Sequence, residues 1–146
     1  MDEPALTLAR DGTLVMIARP DGEIAFSKDQ ARTWSQPQLT GIAMDAPCLL
    51  TLRDGTIVCL FGWNTTGGIQ TMWSDDSART WTTPAKDRGF KIDSTTYVYA
   101  IGCEMPDGSI YLVYYDPRGD QTRTAVWSLR VRIREDRQGI DILPVE

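Results

Sequence analysis

The chain has 146 residues, enough for one domain with a sizeable core. Its net charge of −5 and lack of any basic run exclude the electrostatic footprint of a nucleic-acid binder. No apolar run reaches the roughly 20 residues of a membrane-spanning helix, and the absence of histidine removes His-based triads, imidazole bases and His-ligated metal sites.

Read in order, the chain is a series of short strand-like runs separated by glycine turns, with no helical periodicity. The first unit places strands at Ala5–Ala9, Leu14–Ala18 and Glu23–Ser27, then a loop and a strand from Thr33 to Leu39. The second repeats the order at Pro47–Leu52, Thr56–Phe61 and Ile69–Ser74, with a fourth strand from Thr80. The third runs through Tyr97–Met105, Ile110–Tyr115, Thr124–Ile133 and Gly139–Leu143. Each unit turns between its first two strands on Asp-Gly, at Asp11, Asp54 and Asp107. The expected units are 1–44, 45–95 and 96–146.

Two loops share the pattern Ser-x-Asp-x-Ala-Arg-Thr-Trp, at Ser27–Trp34 and Ser74–Trp81, starting 47 residues apart. Repeats at this spacing point to stacked supersecondary units, with propeller blades prominent among them. Ser and Asp side chains can accept backbone N–H groups a few residues on and shape the turn. Ser27, Asp29, Thr33 and Trp34, with Ser74, Asp76, Thr80 and Trp81, are therefore structural, the tryptophan burying its ring beneath the loop.

These octapeptides resemble the Asp-box of the sialidase (neuraminidase) superfamily of BNR-repeat proteins, with Ala31 and Ala78 where that family has glycine. If the position needs a positive φ, each alanine costs on the order of 1 kcal/mol. Leu49-Leu50-Thr51-Leu52-Arg53-Asp54-Gly55 and the stretch Tyr99 to Tyr115 extend the resemblance. It implies an all-β fold of three four-stranded antiparallel blades of a six-bladed β-propeller, incomplete in this chain. The chain then reads as the C-terminal half of a longer protein, or as a protomer whose ring a second copy completes.

Sialidases of this type use a tyrosine nucleophile, a glutamate base and an arginine clamp on the substrate carboxylate. In the family both tyrosine and glutamate precede an Asp-Gly turn by eight positions. Tyr99 stands eight before Asp107, and Glu3 eight before Asp11. Arg19 ends the second strand of the first unit, where a clamp arginine is expected. Another clamp position carries no arginine here, and Gln70 is the nearest polar candidate. The bland alternatives are a packing tyrosine, a solvated Glu3 and a surface-paired Arg19, with Glu104 a buried support residue.

The resemblance implies a retaining exo-glycoside hydrolase acting on a carbohydrate, sialic-acid-containing or otherwise acidic. A non-catalytic carbohydrate-binding propeller, with Trp63, Trp73, Tyr97 and Tyr99 stacking on sugars, is the alternative, and an inactive fragment a third. No cofactor, metal, nucleic acid or membrane is expected. The acidic start Met-Asp-Glu-Pro shows no signal peptide, and the compartment stays open. Cys48, Cys59 and Cys103 lack metal-ligand spacing and read as buried free thiols, a Cys48–Cys59 disulfide being the lesser alternative.

Overall fold

The computed structural model describes residues 2–62, 68–94, 99–116 and 125–145. Their twelve strands form three four-stranded antiparallel sheets, the blades of part of a β-propeller. The first sheet holds β1 (Asp2–Leu8), β2 (Leu14–Arg19), β3 (Glu23–Ser27) and β4 (Gln38–Leu39). The second holds β5 (Asp45–Thr51), β6 (Ile57–Gly62), β7 (Ile69–Ser74) and β8 (Phe90–Asp93). The third holds β9 (Ile101–Glu104), β10 (Ile110–Asp116), β11 (Ala125–Ile133) and β12 (Ile140–Leu143).

One turn recurs between the first two strands of each sheet. The Oδ1 atoms of Asp11, Asp54 and Asp107 accept the N–H of Thr13, Thr56 and Ser109 at 3.0, 2.8 and 3.1 Å. The glycine after each aspartate has φ of +84°, +94° and +78°, a region open to glycine at little cost. The arginine before two of these turns ties one blade to the next. Arg10 Nη1 donates to the Asp54 carbonyl at 3.1 Å, and Arg53 Nη2 to the Met105 carbonyl. The matching position of the third turn is Pro106, which has no such donor.

The octapeptides fold alike. Ser27 Oγ accepts the Ala31 N–H at 2.9 Å and donates to Asp29 Oδ1 at 2.9 Å. Asp29 then accepts the Thr33 N–H at 2.9 Å and the Thr33 hydroxyl at 2.6 Å. Ser74, Asp76, Ala78 and Thr80 repeat all four bonds. Both alanines sit in the left-handed region at φ 66°, so each carries steric strain on the order of 1 kcal/mol. Ala31 is exposed, whereas the Ala78 methyl is buried in the core. Ala31→Gly is therefore expected to raise stability by up to about 1 kcal/mol, and Ala78→Gly to gain nothing. Urea midpoints of the two variants check this.

The fourth strands differ from expectation. After Trp34 a single ladder bond to β3 precedes β4, Ser35 N–H to the Phe26 carbonyl, and after Trp81 a Trp73–Thr82 bridge to β7 and a local Ala85–Arg88 bridge precede β8. Pro37 and Pro84 follow each tryptophan by three and cannot donate to a ladder, so pairing resumes at Gln38 and Phe90. Trp81 packs on the core beneath its loop, but Trp34 is 37 % exposed. No described blade lies before the first octapeptide for Trp34 to pack against.

The core lies between the sheets. Val15, Ile17 and Ile24 meet Ile57, Cys59, Phe61 and Met72 on one side of the middle blade. Val58, Leu60 and Trp73 meet Ile110, Leu112 and Val131 on the other. β6 and β7 are buried at every position, being covered on both faces. The outer sheets each leave a face open: Leu6 and Leu8 of β1 are 56 % exposed and Ile101 of β9 is 61 % exposed. All three cysteines are free thiols. Cys59 is buried and its thiol is pushed up by burial, but Cys103 lies on the open face of β9 and is exposed. Cys48 pairs with Leu60 and Cys59 with Leu49, so the pleat sends the two sulfurs to opposite faces.

Candidate functional site

The site grows from one repeat position. Eight residues before each turn aspartate stand Glu3, Ala46 and Tyr99. β1 and β5 both carry a register shift there, between Asp2 and Ala5 and between Asp45 and Cys48. At these irregularities Glu3 and Ala46 adopt φ of 46° and 43°. A bulge of this kind re-aims a side chain, and positive φ at a non-glycine residue is a strained conformation typical of functional positions.

The outcome is a contact across three blades. Tyr99 Oη donates to Glu3 Oε1 at 2.6 Å, although 96 residues separate the two. Arg19 closes the other side, with Nε 3.0 Å from Glu3 Oε2. Its Nη2 donates to Asp2 Oδ2 at 3.0 Å, and its Nη1 lies 3.6 Å from Asp45 Oδ1. Three carboxylates thus surround one guanidinium, and the cluster is net negative. Tyr99 is 53 % exposed, and its ring stacks near that of Tyr115 with centroids 6.2 Å apart. Its pKa is raised, first by the hydrogen bond to Glu3, then by the Glu3 charge and by burial, with Arg19 acting the other way.

Of the residues expected at the site, the structure therefore brings together Glu3, Arg19 and Tyr99. Gln70 does not join them. It is 3 % exposed, and its Oε1 accepts the Gly89 N–H at 2.8 Å, holding the β7–β8 connection. Trp73 is fully buried and stacks on Phe90 at 4.6 Å, so it offers no platform to a sugar. Trp63 and Tyr97 lie outside the described residues. Glu104 Oε2 accepts the Arg53 N–H at 2.8 Å and joins the second and third blades.

Asp2, Asp45 and Tyr115 are the members that sequence reasoning missed. The repeat could have found them. Asp2 and Asp45 precede Glu3 and Ala46, and Arg19, Gly62 and Tyr115 stand eight residues after their turn aspartates. Among the described residues no group of three metal-ligating side chains could hold an ion.

Chemically, a carboxylate that accepts a phenol hydrogen bond is placed to take the phenol proton. The exposed Tyr99 ring, backed by the half-buried Tyr115, also offers a face on which a sugar ring can stack.

No protein-family model and no curated protein matches this sequence. Solved structures do match. A protein of unknown function from Dyadobacter fermentans superposes with a TM-score of 0.67 at 18% identity, covering 97% of this chain and 53% of its own. An endo-1,5-alpha-L-arabinanase from Thermotoga petrophila gives 0.64 at 12% identity, covering 98% and 43%. A thermostable family-43 glycoside hydrolase gives 0.61 at 10% identity, covering 96% and 50%. The chain spans about half, or less, of the length of these three structures. None of the three is described as a sialidase, so the sialidase-type blades and the six-blade ring read from the sequence gain no support from them. What the likeness establishes is the fold alone, and the chain has the fold of three antiparallel blades of part of a β-propeller.

Proposed function

We propose that this chain carries half of the active face of a glycoside-hydrolase propeller, with Tyr99 as nucleophile, Glu3 as its base and Arg19 orienting Glu3. One observation carries this reading: the 2.6 Å Tyr99–Glu3 hydrogen bond between residues 96 apart, framed by Arg19. In the first step Tyr99 Oη attacks the anomeric carbon while its proton passes to Glu3 and the glycosidic C–O bond breaks. The leaving oxygen takes a proton from an acid supplied by blades beyond the three described. Water then attacks the anomeric carbon and gives its proton to that external acid, now deprotonated, while the bond from the anomeric carbon to Tyr99 Oη breaks and the phenolate takes its proton back from Glu3.

The charge of the cluster selects the substrate. Arg19 faces Asp2, Glu3 and Asp45, so its guanidinium is already engaged and makes a poor clamp for a substrate carboxylate. An acidic sugar would also meet net negative charge. A neutral glycoside, whose transition state develops positive charge, suits the site better than a sialoside. The arabinanase among the structural matches is in keeping with this.

The ring needs further blades, from a second copy of the chain or from a longer polypeptide, because the two outer sheets each show an open apolar face. The assembled protein is therefore the one to assay. 4-Methylumbelliferyl α-L-arabinofuranoside or β-xyloside should be cleaved, and the sialoside should not. Saturable glycan binding without turnover of any substrate would instead establish a binding propeller, for which the exposed Tyr99 ring stacked near Tyr115 is the relevant feature.

A further inference from the structure

One cleft of the described structure lies away from Tyr99. It has a volume of about 740 Å³ and runs between β3–β4 of the first blade and the second octapeptide. That size suits a ligand of a few sugar rings. Phe26 and Trp81 line it, with serine and threonine hydroxyls between them. Its charged side chains are Lys28, Arg79 and Lys86, and no carboxylate lines it. In a chain of net charge −5 this is a local inversion of sign, opposite to that of the Glu3 cluster.

The cations differ in their engagement. Arg79 is partly compensated: it donates to the Asp76 carbonyl at 2.8 Å and lies 3.4 Å from Asp11 Oδ2. Lys28 and Lys86 have no hydrogen-bond or ion-pair partner among the described residues. The Trp81 indole N–H is buried without a partner, an unmet donor in the same wall. Both walls belong to this chain, so the cleft needs no missing blade to be complete.

We propose that this cleft is a second saccharide site, selective for an acidic oligosaccharide. Lys28 and Lys86 attract its carboxylates, and the aromatic wall takes a sugar face. The choice of ligand class rests on the carbohydrate reading above.

Trigalacturonate and maltotriose, titrated separately by calorimetry, test the site. Trigalacturonate should bind saturably, and maltotriose should not. Exposed ion pairs contribute little each, so Lys28→Ala/Lys86→Ala should weaken trigalacturonate about tenfold, and raised salt should act in the same direction. Lys28→Arg/Lys86→Arg should retain binding, and Tyr99→Phe should leave it unchanged. Absence of saturable binding, or equal affinity in the double alanine variant, overturns the proposal. The two readings fail separately, since loss of hydrolysis in Tyr99→Phe does not touch cleft binding. Loss of cleft binding in the lysine variant likewise leaves cleavage of small neutral glycosides intact.

Discussion

Tyr99→Phe is expected to lower kcat at least about a thousandfold while leaving the fold intact. The phenyl ring keeps its stack against Tyr115, so KM should move little, and what disappears is the attacking oxygen. Glu3→Gln should cost about a hundredfold, because a carboxamide still accepts the phenol hydrogen bond but cannot take its proton. The pH profile separates this mechanism from attack by a preformed phenolate. Glu3 raises the Tyr99 pKa above the ordinary value of 10.0, first by its hydrogen bond and then by its charge. The phenol therefore stays protonated at neutral pH and releases its proton to Glu3 during attack. The rate should stay level between pH 7 and 9. A rise toward alkaline pH in step with phenol ionisation would contradict the assignment.

Asp76→Ala is expected to cost about 3 kcal/mol of stability, read as a lowered urea midpoint at pH 7. Its carboxylate accepts the Ser74 hydroxyl at 2.7 Å, the Thr80 N–H at 2.9 Å and the Thr80 hydroxyl at 2.6 Å. Removing it frees the Thr80 N–H and loosens the loop that holds Trp81 on the core. Asp29→Ala should cost less, because its loop packs under no neighbouring blade and Trp34 is exposed. The same group sets an acid limit. Burial is the largest single influence on Asp76 and opposes ionisation, but the Thr80 and Ser74 hydrogen bonds together outweigh it, and the carboxyl titrates below its ordinary 3.8. A carboxyl depressed in the folded state stabilises above its unfolded pKa and loses that contribution as pH falls through the folded one. The wild type should therefore lose stability below about pH 4, and Asp76→Ala should lose less over the same range.

The repeat explains why these two predictions concern such different residues. The octapeptide recurs as a local unit, and each copy satisfies its own hydrogen bonds within eight residues. The position eight before each turn recurs as well, but its occupants, Glu3, Ala46 and Tyr99, have nothing chemically in common. The backbone is shared by the first two blades, where Glu3 and Ala46 both take a positive φ at a register shift, while Tyr99 lies just before β9 without one.

Local physics was legible in the sequence. Glu23–Ser27 and Ile69–Ser74 are strands at the bounds that alternation and flanking turns suggest, and the three Asp-Gly turns close as their residue types require. Interactions that span a few residues depend on side-chain chemistry already present in those residues. The spacing of Glu3 and Tyr99 from their turns placed both at one level of the first and third blades, but it could not say that their oxygens meet. Nor could it show that Asp2 and Asp45 surround Arg19, that Gln70 is buried, or that Lys28 and Lys86 share a cleft. These depend on how far apart the sheets stand and which face each turns inward. Packing between blades sets both, through contacts between residues as far apart in the chain as Arg19 and Asp45 or Glu3 and Tyr99, and no local stretch of sequence encodes them.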